Sequence, residues 1–412
     1  MSIINKNFIK YLIPFIVSTF ILILSFYSNE WINFWNFLNV PAQYPPFADF
    51  DAINKALLSK QQGFDPYVEN PNDIQNPKYM YPSIWLHIFE ILNLKNILYL
   101  KVSNFLIIYL YIYVLIDFTE KINTKNFLLI ITLFFLSTSN FLILERLNIE
   151  IIIFILLYFS LINKNIFVKS FLFLLSIILK LFPIFSAFSL IDRKKSFVIT
   201  LLISLIYFYI SRNEILIMRS NMVEYALIFA YGVGSISKAI YHYSTEFNYF
   251  INDNNYFVFR NIMILLAITY AISIFLIKFK FKQNKINKYI SFKEKFFLAG
   301  AGIYIGTFCT SANIDYRLLF LIFTVPYILE KNQKNVIKLY CLSLILCFNS
   351  LIFEGGNSYS FIYFAKASII YFFKLIIFTL NCYYFGEILN NYLNIKFTFL
   401  KIIKSKPISQ KK

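Results

Sequence analysis

Apolar residues along this chain fall in long unbroken runs, not in the alternating or one-faced patterns of a water-soluble domain. Tyr11 to Tyr27 and Ile262 to Ile277 contain no charged residue, and such runs approach the roughly 20 residues that an α-helix needs to cross a bilayer core. Barrel strands would be about half as long and would alternate. The pattern therefore predicts an all-α fold, a polytopic transmembrane bundle of about twelve hydrophobic segments. The first run follows Lys6 and Lys10 and ends at Phe26 to Glu30 without a small-residue cleavage site. It is expected to be a retained first helix and not a signal peptide.

Lysines punctuate these runs. They gather in short loops at Glu120 to Lys125, Lys164 to Lys169, Asp192 to Lys195, Lys278 to Lys295 and Glu330 to Lys338, and in the tail from Lys396. With Lys6 and Lys10 on the same side, the positive-inside rule makes all of them cytoplasmic. The stretch Ile166 to Leu190 tests this scheme, because its basic flanks demand an even number of crossings in a length too short for two full helices. A short hairpin with its vertex at KLFP, Lys180 to Pro183, meets both demands, since proline breaks a helix. Lys180 then lies at membrane depth, either as a functional cation or as a snorkelling lysine on an ordinary helix.

Composition agrees: 59% of the 412 residues are hydrophobic and 15% charged, with a mean hydropathy of +0.63, which fits one integral membrane domain over residues 1–412. A net charge of +18 would point to nucleic acid in a soluble protein, but lysines beside apolar runs make the bilayer the partner and exclude nucleic acid. Cys309, Cys341, Cys347 and Cys382 lack metal-like spacing, and His87 and His242 are the only histidines. No metal site is expected from them. Neither a Walker loop nor GxGxxG is present, and no cytoplasmic loop is long enough for a nucleotide domain, so no cofactor is expected. The chain also lacks the related halves of many transporters.

Two outer segments are long enough to do more than connect helices, 28–95 and 212–256. The first carries FADFD with Asp49 and Asp51, GFDPY from Gly63 to Tyr67, NPND from Asn70 to Asp73 and YPSIW from Tyr81 to Trp85. Ala52 to Leu58 and Ile84 to Leu92 are expected to be short interfacial helices. The second carries YGVGS, Tyr231 to Ser235, readable as a lipid-facing rim or a packed loop. For Asp49, helix cap and catalyst are equally open. Asp51 completes a DxD-like pair whose spacing implies no ion by itself.

ERLNIE, Glu145 to Glu150, lies between apolar runs. Glu145 and Arg146 form an internal ion pair there, or Arg146 enters a cavity and binds an anion. In NIDYR, Asn313 to Arg317, Arg317 suits a phosphate with Asp315 holding it, or the two make a local pair. AGIYIG, Ala301 to Gly306, spaces small residues for close helix packing.

GFDPY, the later Tyr81-Pro82 pair, the Arg-x-Asn element at Arg146 to Asn148 and ILKLFP at Ile178 to Pro183 together resemble glycosyltransferase family 87, polytopic enzymes of the GT-C class. FADFD, YPSIW, ERLNIE and AGIYIGTF followed by DYRLLFLIFT are similar to an uncharacterised bacterial branch with like blocks. The resemblance runs from about Pro45 to Leu329. It departs at Ser83, where arginine is expected, at Leu147, where glycine is expected, and at Asp51, a position often basic.

The resemblance implies transfer of a sugar, typically mannose, from a polyprenyl-phosphate donor to a glycan or glycolipid acceptor. It implies a bacterial cytoplasmic membrane with the site facing outward. Asp49 takes the place of the catalytic carboxylate of the first outer loop, with Asp51 as fallback. Asp51, Asp65, Tyr67, Tyr81, Glu145, Arg146, Asn148, Lys180, Asp315 and Arg317 are the expected substrate contacts. A transporter or flippase of lipid-linked sugars and a structural subunit of an envelope assembly are the alternatives. Convergence of the first outer loop, ERLNIE and NIDYR on one cavity separates the first reading from the last.

Overall fold

The computed structural model describes residues 3–73, 77–221, 230–246, 253–279, 290–353 and 361–393. The loop expected at Lys278 to Lys295 lies mostly, and the tail from Lys396 wholly, outside them.

The first membrane-facing part comprises α1 (Ile3–Leu24), α2 (Ser28–Phe37), α3 (Ala48–Gln61), α4 (Ile84–Ile91), α5 (Ile97–Ile122), α6 (Lys125–Phe135), α7 (Thr138–Arg146), α8 (Glu150–Ile162) and α9 (Ile166–Leu179). A 3₁₀ segment at Phe182–Leu190 follows, then α10 (Lys194–Ile210), α11 (Arg212–Asn221), β1 (Ala230–Tyr231), α12 (Val233–Glu246), α13 (Asp253–Phe279) and α14 (Phe292–Thr310). The chain continues through β2 (Asn313–Ile314), a second 3₁₀ segment at Asp315–Phe323, α15 (Val325–Ile328), α16 (Lys334–Phe348), a 3₁₀ turn at Ser350–Phe353 and α17 (Phe361–Leu393). Among the described residues the fold is thus all-α apart from the two-residue β1–β2 ladder. The two interfacial helices expected in the first outer segment are α3 and α4.

The count of membrane spans is lower than the sequence suggested. Among the described residues, Ile97–Ile122, Asn255–Ile277 and Ala365–Tyr392 are long and apolar enough to cross a membrane, and up to five pass if the bent pairs α6–α7 (55°) and α10–α11 (72°) each count as one span. About twelve were expected. The difference has a physical cause: hydrophobicity marks burial, whether lipid or protein does the burying. Ile151, Ile153, Phe154 and Leu157 of α8 are fully buried, so this apolar run faces protein and is only 13 residues long. By contrast, none of the apolar window of α13 is buried, and Leu265 and Leu266 stand open at its surface. A contiguous apolar flank of this kind requires a nonaqueous cover, which a bilayer supplies.

Charged pairs collect at one end of the bundle. Lys10 meets Asp117 at 2.6 Å and Glu120 at 2.8 Å, Lys295 meets Asp192 at 2.5 Å, Lys293 meets Glu330 at 2.6 Å and Lys331 meets Glu387 at 2.7 Å. Between this end and the opposite one the core is aromatic. Phe118 stacks on Phe296 at 4.7 Å and Phe154 on Phe323 at 4.6 Å.

α9 and the first 3₁₀ segment form a hairpin with Lys180 at its turn. At its base, the hydroxyls of Ser170 and Ser196 lie 2.5 Å apart. Its legs match because their rises differ: 14 α residues extend ~21 Å at ~1.5 Å each, while nine 3₁₀ residues extend ~18 Å at ~2.0 Å each. The small residues of AGIYIG let α14 approach the returning leg. A Cβ on Gly302 would stand 2.2 Å from the Phe185 carbonyl oxygen, and one on Gly306 would stand 2.1 Å from its ring. Backbone cannot give way as a flexible side chain can.

The hairpin makes a topological prediction. Single cysteines placed beside Lys164 and beside Lys195 should react with a membrane-impermeant thiol reagent from the same face of intact cells. Labelling from opposite faces would replace the hairpin with one crossing segment.

Candidate functional site

α3 begins after Phe47, whose backbone is left-handed (φ 62°) and whose side chain makes no cap. Asp49 therefore stands in the first turn and not at the cap, and its carboxylate is free to turn outward from the helix. It accepts a 2.5 Å hydrogen bond from Asn148 Nδ2. The same amide nitrogen donates to the Tyr316 hydroxyl at 3.1 Å, and Asn148 Oδ1 accepts from the Glu150 backbone at 3.0 Å and from Lys180 Nζ at 3.5 Å. One asparagine thus joins FADFD, ERLNIE, KLFP and NIDYR.

Local backbone makes this possible. Leu147 closes α7 in the left-handed region (φ 46°), the conformation for which glycine is the ordinary choice. Its side chain is buried, so packing offsets a backbone cost of ~1–2 kcal/mol. The glycine expected there by resemblance answers to this turn.

Glu150, the first residue of α8, is wholly buried. Its Oε1 accepts from Arg317 Nε at 2.7 Å and Nη2 at 2.6 Å and lies 3.1 Å from Lys180 Nζ. Arg317 also donates to Asn313 Oδ1 and lies over the Phe182 ring at 4.5 Å. Lys180 lies 5.3 Å from the centre of the Tyr81 ring. The NIDYR turn is fixed by the antiparallel pairing of Tyr231 with Asn313. Gly232 follows with φ +99°, and a Cβ there would stand 2.3 Å from the Ser311 carbonyl. YGVGS is buried and runs from β1 through Gly232 into the first turn of α12, with Tyr231 stacked on Tyr304 at 5.1 Å.

Glu145 is also wholly buried, accepting from Gln43 N at 2.7 Å and pairing with Arg146 Nε at 2.8 Å. Arg146 donates through Nη2 to the Pro41 carbonyl at 3.0 Å. The internal ion pair is formed, and Arg146 also lines the cavity.

That cavity has a volume of about 1500 Å³, and Asp49, Asp51, Tyr81, Arg146, Lys180 and Arg317 all line it. Asn148 and Glu145 stand behind its wall, bonded to Asp49 and Arg146. Three expected contacts lie elsewhere. Asp65 accepts from the Tyr67 backbone at 3.0 Å, a turn-forming bond. The Tyr67 hydroxyl stands 2.8 Å from the Tyr81 carbonyl and 2.9 Å from Glu214. Glu214 in turn accepts from Ser83 N at 2.5 Å. Asp315 turns away from Arg317 and into the bundle, pairing with Lys374 at 2.8 Å and accepting from Ser350 at 2.5 Å.

Glu150, Glu214, Tyr316 and Lys374 were missed as participants by sequence reasoning. Glu150 closes the ERLNIE motif, and a carboxylate opening an apolar helix is the signal that identifies it. Nothing local marks Lys374 as the partner of Asp315. Arg212, Arg219 and Arg260 also line the cavity, and they come from the second outer segment and the start of α13.

Asp49 opens to the cavity, yet the protein around its carboxyl raises its pKa above the ordinary aspartate range by burial. Arg146, the Asn148 hydrogen bond and Lys180 oppose that rise. Burial raises Asp51 as well, against Lys55. A carboxyl beside cations in a water-poor wall is suited to take a proton and to have its charge matched afterwards. Among the described residues, no group of three or more His, Cys, Asp or Glu side chains is placed to hold a metal ion.

Compared with protein-family models, with curated proteins and with solved structures, the chain gives no match in any of the three.

The Asp315–Lys374 pair yields a stability prediction. Lys374→Met leaves a buried carboxylate without its cation, an expected loss of ~3–5 kcal/mol, seen as a lower melting temperature in detergent. Asp315→Asn combined with Lys374→Met should recover most of it. Equal loss in the single and double variants would remove the pair from the account.

Proposed function

We propose that the chain is a membrane glycosyltransferase of GT-C type, moving a hexose such as mannose from a polyprenyl-phosphate donor to an extracytoplasmic glycan or glycolipid. The supporting observation is the convergence of Asp49, Arg146, Lys180 and Arg317 on one cavity of about 1500 Å³. Four sequence-distant motifs meet there, which a purely structural subunit does not require. The proposal places the three to five long apolar spans in a bacterial cytoplasmic membrane, with the shorter apolar helices packed among them. The lysine-rich end is then cytoplasmic and the cavity faces outward.

In the proposed reaction the acceptor hydroxyl oxygen attacks the anomeric carbon of the sugar while Asp49 takes the hydroxyl proton. The bond between that carbon and the phosphate oxygen breaks, its electron pair stays on the phosphate, and polyprenyl phosphate departs. Arg146, Lys180 and Arg317 face the developing negative charge. Glu150 neutralises only part of the positive charge of Lys180 and Arg317. Its larger effect is to hold both side chains in place before the substrate arrives. The Arg317 guanidinium has more N–H donors than Glu150 and Asn313 use.

Asp49→Asn is expected to insert normally, to bind donor lipid and to lose about 100- to 10,000-fold in transfer rate, whereas Asp51→Asn keeps substantial activity. The raised pKa of Asp49 sets the sign of two further effects. Its ionised form is the base, so the wild-type rate should fall as pH drops through a value above the ordinary aspartate range. A carboxyl whose pKa is raised on folding costs the fold stability as pH rises from the ordinary aspartate range to the raised value, and the full cost remains above it, so Asp49→Asn should melt no lower than wild type near neutral pH. Near-normal turnover in this variant would end the assignment.

Donor class is tested with purified protein offered polyprenyl-phosphate mannose or a sugar nucleotide. Transfer should require the lipid-linked sugar. Transfer from the nucleotide alone would overturn the reading, and tight binding of the lipid-linked sugar without transfer to any glycan acceptor would favour a carrier.

A further inference from the structure

A second cavity, of about 310 Å³, lies at the other end of the bundle, at the base of the hairpin. Four cations line it: Lys164, Lys169, Arg193 and Lys295, with no acidic residue among the lining side chains. They come from the turn before α9, from α9 itself, from the turn before α10 and from α14. Asp192, just outside the lining, holds Lys295 at 2.5 Å. The four cations of the cluster thus outnumber Asp192, the carboxylate beside them among the described residues.

Lys169 is the informative member. It is only 5% exposed, yet among the described residues its ammonium group has neither a hydrogen bond nor an ion pair, while its backbone carbonyl is engaged by Ser160 at 2.9 Å. Burying an ammonium without a bonded acceptor is costly; Asp192, whose Oδ1 is buried without a hydrogen-bond partner, attracts it from beyond bonding distance, and the cavity is the place where a further acceptor can meet it. Like charges do not gather around a void of this kind without cost either. An anion relieves both.

The surroundings choose among anions. Leu161, Ile162, Ile166 and Phe292 line the same cavity, and Ile166 and Phe292 are exposed at 36% and 37%, so an apolar flank adjoins the polar pocket. Acyl chains fit the flank and a headgroup phosphate fits the cations. A free inorganic anion would use the pocket alone.

We propose that the cavity bounded by Lys164, Lys169, Arg193 and Lys295 binds the phosphodiester headgroup of an anionic phospholipid, whose acyl chains leave past Ile166 and Phe292. Basic pockets between membrane helices are a known setting for such headgroups. The site is separate from the Asp49 cavity and stands or falls independently of the glycosyltransferase reading.

The test uses the full-length protein in a neutral detergent, with phosphatidylglycerol, phosphatidylcholine and inorganic phosphate as separate additives. Retained lipid is read by native mass spectrometry and stabilisation by melting temperature. Phosphatidylglycerol should be retained and should raise the melting temperature, and phosphatidylcholine should do neither. Lys169→Met should weaken phosphatidylglycerol binding at least about tenfold, Lys169→Arg should keep it, and Lys334→Met, an exposed lysine at the same end outside the cavity, should leave it unchanged. If Lys169→Met folds poorly, Lys164→Met, which removes an exposed lining charge, is expected to give a smaller loss in the same direction. Equal retention of the two lipids would overturn the proposal, as would equal loss in the Lys334 variant. Stabilisation by inorganic phosphate as large as that by phosphatidylglycerol would overturn the lipid assignment in favour of a soluble anion.

Discussion

Everything near the larger cavity depends on one buried carboxylate. Glu150 has no exposure, and a charge so placed is tolerated only where partners surround it. Its partners are Lys180, in the turn between α9 and the first 3₁₀ segment, and Arg317, in the second 3₁₀ segment. Satisfying Glu150 therefore fixes the entry to both 3₁₀ segments. It also fixes the position of Asn148, two residues earlier, and through it the orientation of Asp49. The catalytic candidate is two hydrogen-bonded steps removed from the group that organises it.

A second layer secures these turns from behind. The β1–β2 ladder holds Asn313, which accepts from Arg317, and the Asp315–Lys374 pair ties the next residue but one to α17. The division of labour within NIDYR is clear: asparagine and arginine face the cavity side, and aspartate faces the bundle. Residues only two apart at the start of a 3₁₀ turn point in different directions, which is why one charged motif serves both a site and a core.

The sequence made the all-α class, the hairpin and the membership of most of the site legible. The hairpin was readable because lysines mark membrane boundaries whatever lies between them. The convergence of Asp49, Arg146, Lys180 and Arg317 was readable only as a hypothesis, since each lies at a helix end on the same expected side. The span count was misjudged because Ile151 to Ile162 looks identical whether lipid or protein covers it. Asp65 and Tyr67 were drawn in by the appearance of GFDPY as a block, although a turn aspartate and its backbone bond explain the first of them. Partnerships were the least legible part. Arg317 was paired with its near neighbour Asp315, but the neighbour had a lysine from α17, and the arginine a glutamate from α8.

The order in which these partners leave the ribosome has a consequence for biogenesis. Domains form from the N-terminus as synthesis proceeds, so Asp49, Asn148 and Glu150 emerge first, Lys180 soon after, Arg317 much later and Lys374 near the end. In the interval a nascent chain carries acidic groups destined for burial before their cations exist. Those groups must stay hydrated or protonated meanwhile, and Asp315 has no counterion until α17 arrives, although the β1–β2 ladder and Arg317 already hold the segment around it. A chain cut short before Lys374 would carry every residue that lines the larger cavity and still lack the counterion of Asp315, together with the buried C-terminal half of α17.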